Sequence, residues 1–128
     1  MQHATTSSPP NLNVLIVDDD EDQAESLAFC LALEGRNVRY ATNGDQAFAL
    51  LADFTPDVAL LDIVMPKPDG RTLARALRQR FDARIVLVAV TGALTPRDTA
   101  NAFDHQLAKP IEAEALERVF AGLTAAAR

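Results

Sequence analysis

Two rhythms of apolar and polar positions alternate along the chain. Val14-Leu15-Ile16-Val17, Val58-Ala59-Leu60-Leu61 and Ile85 to Val90 are apolar runs rich in branched residues and bounded by polar breakers. Runs that are apolar on both faces suit central parallel strands covered by helices on both sides. Val38-Arg39-Tyr40-Ala41 alternates and Gln106-Leu107-Ala108 is short and mixed, as suits the edges of a sheet. Between the strands the apolar period lengthens to that of a helix. Ala24, Leu27, Ala28 and Leu31 share one face, followed by Ala47, Leu50, Leu51 and Phe54, then Leu73, Ala76 and Leu77, and last Leu116, Val119, Phe120 and Leu123. Gly35 closes the first helix, Asn43-Gly44 opens the second, and Pro66 and Pro68 keep the chain extended before a helix from about Gly70. The alternation predicts an α/β fold, (βα)5, with a doubly wound parallel sheet of five strands.

Length restricts this pattern to one unit, because 128 residues with 48% apolar content can bury one core but not two. Residues 12–126 are expected to form the domain. Residues 1–11, with Thr5, Thr6, Ser7, Ser8, Pro9 and Pro10, are expected as a disordered tail or linker. No apolar run approaches the ~18 residues of a membrane span, and the polar stretch from Met1 to Pro10 does not resemble a signal peptide. The expectation is a soluble, cytoplasmic protein without a membrane partner. The formal charge is −6, and Arg71, Arg75, Arg78, Arg80 and Arg84 lie among apolar helix positions without a basic run, which argues against direct nucleic-acid binding. Cys30, the single cysteine, excludes an internal disulfide; between Phe29 and Leu31 it is expected as a small core residue.

Candidate chemistry lies at the strand ends. In an open parallel sheet, ligands bind beyond the carboxyl ends of the strands. The first strand ends in Asp18-Asp19-Asp20-Glu21-Asp22, the third in Asp62, the fourth in Thr91-Gly92 and the fifth in Lys109-Pro110. Carboxylates brought together there repel by roughly 4 kcal/mol per pair at about 4 Å in an effective dielectric of 20, so they need a cation or protons. A hard dication such as Mg2+ meets that need with oxygen ligands, waters and a phosphate. His3 and His105 are the only histidines, which leaves no zinc ligand set. The run Asp18 to Asp22 alone is also explained as a helix N-cap with acids at the positive end of a helix dipole. That account does not reach Asp62 after its apolar strand, nor Lys109 before its proline.

Taken together, Val14-Leu15-Ile16-Val17-Asp18-Asp19-Asp20, Leu61-Asp62-Ile63-Val64-Met65-Pro66-Lys67-Pro68-Asp69-Gly70, Thr91-Gly92 and Lys109-Pro110 resemble the receiver domains of bacterial response regulators and hybrid histidine kinases. The resemblance covers residues 12 to about 124. It implies the flavodoxin-like strand order 2-1-3-4-5, an order taken from the family. It implies that Asp62 is the nucleophile, taking a phosphoryl group from a phosphohistidine of a histidine kinase or histidine phosphotransfer protein. Mg2+ is the implied cofactor, bound directly by Asp19, Asp62 and the backbone carbonyl of Val64 and through water by Asp18. Lys109 and Thr91 are implied partners of the phosphoryl oxygens, with the Lys109-Pro110 peptide cis and aiming the ammonium at the site. Such a module signals by docking to a downstream protein target and is not a turnover enzyme. Met65 and Pro66 read as packing and turn residues.

The sequence departs from that family at two places. The position three before the lysine, commonly aromatic in receivers, is Gln106, which removes a threonine-to-ring switch; His105 beside it reads as incidental. Thr91 and Lys109 are eighteen positions apart, about one helical turn fewer than is common. A helix starting at Thr95 and Pro96 is therefore expected to be short, ending near Ala102, so that partner recognition or switching departs from the usual scheme. Val64 and Ala93, two residues beyond Asp62 and Thr91, cannot hydrogen-bond an attacking water through their side chains, so a persistent phosphoaspartate is expected. Two other functions compete. A receiver-like interaction module independent of phosphate is favoured by Gln106 and the short helix, but has no use for the acidic cluster. A Mg2+ phosphohydrolase normally needs a second acid where Val64 stands. No output segment is expected on the chain itself.

Overall fold

The computed structural model describes residues 12–65, 69–92 and 103–127. The expected tail 1–11, Pro66, Lys67, Pro68, Ala93 and the short helix between Thr95 and Ala102 lie outside the described residues.

The elements follow in the order β1 (Asn13–Val17), α1 (Glu21–Leu33), β2 (Asn37–Ala41), α2 (Gly44–Leu50), β3 (Val58–Asp62), α3 (Gly70–Phe81), a 3-10 turn (Asp82–Arg84), β4 (Val86–Thr91), β5 (His105–Ala108) and α4 (Ala113–Ala127). The strands form one parallel sheet in the order β2-β1-β3-β4-β5, so the two mixed segments lie at the edges as their patterns predict. One face packs Leu15, Val17, Ala59, Leu61 and Leu87 against Ala47 of α2 and Leu73 and Leu77 of α3. The other packs Val14, Ile16, Leu60 and Val88 against Ala24 and Leu31 of α1 and Leu116 and Phe120 of α4. Coverage on both faces is why β1, β3 and β4 read as unbroken apolar runs.

Helix boundaries follow local chemistry. Asp20, Asn43 and Asp69 cap α1, α2 and α3, each side chain accepting a hydrogen bond from the backbone N–H three residues on. Gly35 follows α1 with a φ of +93°, a left-handed conformation that a residue with a Cβ adopts at a cost. The apolar spacing that reaches Phe54 outlasts the helix itself, because α2 stops at Leu50. The next N–H groups of Leu51, Ala52 and Asp53 bond three residues back and tighten the end. Leu51 and Phe54 are nonetheless buried.

Cys30 corrects the sequence reading: it is exposed, not core. Only Ala24 and Leu31 of α1 are buried, with Leu27 and Ala28 partly so. The ~100° turn per residue puts Ser26, Phe29, Cys30 and Leu33 on the outward stripe, where Phe29 is 65% and Leu33 72% exposed. An apolar neighbour in sequence is thus no guide to burial on a helix. Arg36, by contrast, is buried, its guanidinium 4.4 Å from the centre of the Phe120 ring and paired with Glu34 and Glu117. It links the end of α1 to α4.

Candidate functional site

Parallel register places the ends of β1, β3, β4 and β5 along one edge. Val17 pairs with Leu61, Asp62 with Val90, and Thr91 with Ala108. Asp18, one residue past β1, continues the ladder through its N–H to the Ala41 carbonyl at 3.1 Å. Lys109, one past β5, does the same to Thr91 at 3.1 Å. The peptide between Lys109 and Pro110 is cis.

Asp18, Asp19 and Asp62 each offer a carboxylate oxygen within 4.8 Å of the others. Asp18 and Asp62 are buried and Asp19 is exposed, which leaves the cluster open to solvent on one side. Such an all-oxygen set suits a hard dication that keeps part of its water shell. Lys109 stands over the two buried acids, its Nζ 3.0 Å from Oδ2 of Asp62 and 3.1 Å from Oδ2 of Asp18. The remaining oxygens are held by backbone. Oδ1 of Asp62 accepts the Val64 N–H at 3.0 Å and Oδ1 of Asp18 accepts the Asp20 N–H at 2.9 Å. Thr91 is buried at the neighbouring strand end.

Burial raises the pKa of Asp62 above the ordinary 3.8, assisted by the charge of Asp18 and opposed by the Val64 N–H and by Lys109. Burial also pulls Lys109 down, but its hydrogen bonds and charge attraction to Asp62 and Asp18 outweigh this and leave its pKa above 10.5. Both directions describe one arrangement: a carboxylate taken from water at a cost, with an ammonium tied to it. A cation at the cluster would stabilise the charged form of Asp62.

The structure brings together Asp18, Asp19, Asp62 and Lys109. Thr91 shares their edge, and Val64 folds back over Asp62 through its N–H while its side chain is 67% exposed. Met65 packs partly against the core, consistent with its reading as a packing residue, and His105 and Gln106 are exposed. The sequence reading placed Gly70 at a helix start and at the end of the Leu61 to Gly70 stretch that resembles the receiver signature, but gave it no contact of its own. A Cβ at Gly70 would lie 2.5 Å from the Asp62 carbonyl oxygen and 2.7 Å from the Ile63 Cα, so α3 begins in direct contact with the backbone of the acidic residue. The signal was that stretch itself, in which Gly70 stands eight residues beyond Asp62. Beside the site, α1 and the β5–α4 connection diverge to leave a groove of about 730 Å³, walled by Ile16, Leu27, Pro110 and Ile111, with Asp18 and Lys109 also lining it.

Comparisons with known proteins identify the family and the fold. The family described as response regulator receiver domain matches residues 14–121. A curated relative, response regulator MprA of Mycobacterium sp. (strain KMS), is 35% identical over 125 residues, covering 91% of this chain and 51% of its own length. The chain thus spans about half the length of the curated relatives it matches. A two-component response regulator from Clostridium difficile aligns with a TM-score of 0.80 at 25% identity, over 88% of this chain and 95% of its own. The signal receiver domain of a signal transduction histidine kinase from Syntrophus aciditrophicus aligns with a TM-score of 0.76 at 30% identity, over 91% and 92%. Among the described residues no helix is long and apolar enough to cross a membrane.

Proposed function

Because the chain belongs to the response regulator receiver domain family, we propose that it is a phosphoacceptor in a cytoplasmic two-component phosphorelay, with Asp62 as the residue that takes the phosphoryl group. The observation that carries this reading is the double contact of Lys109 with Asp62 and Asp18 at the carboxyl edge of the sheet. A structural ion pair needs one acid; here one ammonium serves two buried acids from different strands, with a third beside them.

An oxygen of the Asp62 carboxylate attacks the phosphorus of a phosphohistidine. The phosphorus–nitrogen bond breaks with its electron pair returning to the imidazole, and an acyl phosphate forms. Asp19, Asp62 and the Val64 carbonyl would hold Mg2+, with Asp18 acting through water, and the ion would supply charge neutralisation for the phosphoryl oxygens. Lys109 exchanges its contact with Asp62 for a phosphoryl oxygen, and Thr91 donates its hydroxyl to another. The chain's own contribution is positioning and charge compensation, with no strong base required. The groove beside Lys109 supports docking of a histidine kinase or histidine phosphotransfer protein, whose imidazole must reach Asp62. The phosphorylated form then acts on a downstream protein target, so the module is not a turnover enzyme on an external substrate. Residues 12–126 carry this activity.

Incubation with acetyl phosphate and Mg2+, followed by intact mass, tests the proposal. Addition of one phosphate to wild type and none to Asp62→Asn is the expected result. A chain that binds neither Mg2+ nor phosphate returns the reading to a phosphate-independent docking module, which the exposed Gln106 on β5 favours.

A further inference from the structure

β5 delivers Lys109 to the site, yet among the described residues few contacts hold it. It has a single sheet neighbour, β4, and of its four residues only Leu107 is buried. Its placement therefore depends on what secures its ends. At the far end the Lys109 N–H reaches Thr91. At the near end stands Asp104, whose N–H donates to the Leu87 carbonyl at 2.8 Å. The Oδ2 of the same residue accepts the Leu87 N–H at 2.9 Å and Arg78 Nη2 at 2.6 Å. Asp104 thus adds a rung to the β4–β5 ladder with its own side chain. Arg78 Nη1 also donates to the carbonyls of Asp82 and Ile85, at 2.7 and 2.8 Å. One guanidinium ties together the end of α3, the approach to β4 and the start of β5. At its other end, α3 rests on the backbone of Asp62 through Gly70.

We propose that the Arg78–Asp104 clamp is a positioning device for Lys109, an inference that rests on the role given to Lys109 above. Nζ of Lys109 must meet oxygens that follow β1 and end β3 at 3.1 and 3.0 Å together. A small rotation of β5 breaks at least one of those contacts. An exposed ion pair alone contributes little. Asp104 differs because its carboxylate also satisfies a partly buried backbone N–H at the sheet edge, so its loss frees the strand and leaves that donor unpaired.

The test is a double-variant cycle on the whole chain, reading the rate of phosphate uptake from acetyl phosphate in saturating Mg2+ and, separately, Mg2+ affinity. Asp104→Ala is expected to slow uptake on the order of tenfold, within the range that a displacement of about 1 Å can produce. Mg2+ binding is expected not to weaken, because the acids lie on other strands and a displaced ammonium no longer competes for them. In a Lys109→Ala background Asp104→Ala is expected to add nothing, whereas a general loss of structure slows both backgrounds alike. Equal rates for wild type and Asp104→Ala, or the same loss in both backgrounds, overturns the inference. If Asp104→Ala fails to fold, Asp104→Asn, which keeps an acceptor for Leu87 and loses the charge facing Arg78, decides the question in the same cycle. A wild-type chain that takes up no phosphate overturns the role of Asp62 first, and the inference with it.

Discussion

The ammonium of Lys109 lies 3.0 Å from Oδ2 of Asp62 although the two residues are 47 positions apart in sequence and reach the same point from different strands. The contact offsets the repulsion between Asp62 and Asp18. Lys109→Met is therefore expected to lower stability in chelator by about 2 kcal/mol, the scale of a hydrogen bond to a charged group. Added Mg2+ should recover part of the loss. Because folding raises the pKa of Lys109, its contribution is complete below the ordinary value of 10.5 and disappears as pH rises through the raised value. Urea unfolding of both proteins between neutral and strongly alkaline pH checks this; a gap that stays constant into the alkaline range contradicts it.

Mg2+ is expected to raise the melting temperature of wild type and to have little effect on Asp19→Asn or Asp62→Asn. A ligand at 100 times its Kd adds about 2.7 kcal/mol to a protein that binds it only when folded. Thermal unfolding with Mg2+ and with chelator measures the difference. An equal shift in all three proteins would place the ion elsewhere.

Asp69 caps α3 through a 3.0 Å bond from the Thr72 N–H, and that bond, ahead of the attraction of Arg71, holds its carboxyl below 3.8. Replacement by Ala should cost about 1 kcal/mol at neutral pH. A depressed acid stabilises above its unfolded pKa and ceases to do so as pH falls through the folded one. The penalty of Asp69→Ala should therefore shrink in acid, below the ordinary carboxylate range. Denaturant curves at neutral and low pH give the comparison.

Gly70→Ala should cost about 1–3 kcal/mol, the range for forcing an extra carbon into a packed site. The added atom meets backbone, which cannot rotate away. Phosphate uptake should fall as well, since relief of the clash moves the β3–α3 junction beneath Asp62. A variant with wild-type stability and rate would show that the junction yields freely.

Val64 presents an exposed apolar side chain two residues beyond Asp62. The acyl phosphate on wild type should persist for minutes or longer after removal of donor, and Val64→Asn, which offers an attacking water a hydrogen bond, should shorten it. Intact mass followed over time reads both; loss within seconds from wild type would defeat the argument.

Most of the fold and much of the candidate site were legible because they depend on local rules. The unbroken runs around Leu15, Leu60 and Val88 mark strands covered on both faces, and Asn43 and Gly35 mark helix ends by backbone chemistry. Asp18, Asp62 and Lys109 were visible because a charge directly after an apolar strand has few structural uses. Cys30 was misread because a sequence neighbour does not fix which way a helical side chain faces. That is set by how far α1 buries its stripe against the sheet. Asp104, Arg78 and the packing role of Gly70 escaped because they lie in contacts with Leu87, Ile85 and the Asp62 backbone, which only packing creates.

The sequence by itself determined the order of strands and helices, their approximate limits and the set of charges at the strand ends, since these follow from periodicity and propensity over short windows. Tertiary structure decided that Lys109 would serve two acids at once, that α3 would rest on the backbone of Asp62, and that one arginine would fasten the start of β5. Those relationships depend on distances between residues far apart in the chain, and such distances are fixed only when the sheet closes its register and the helices settle on its faces.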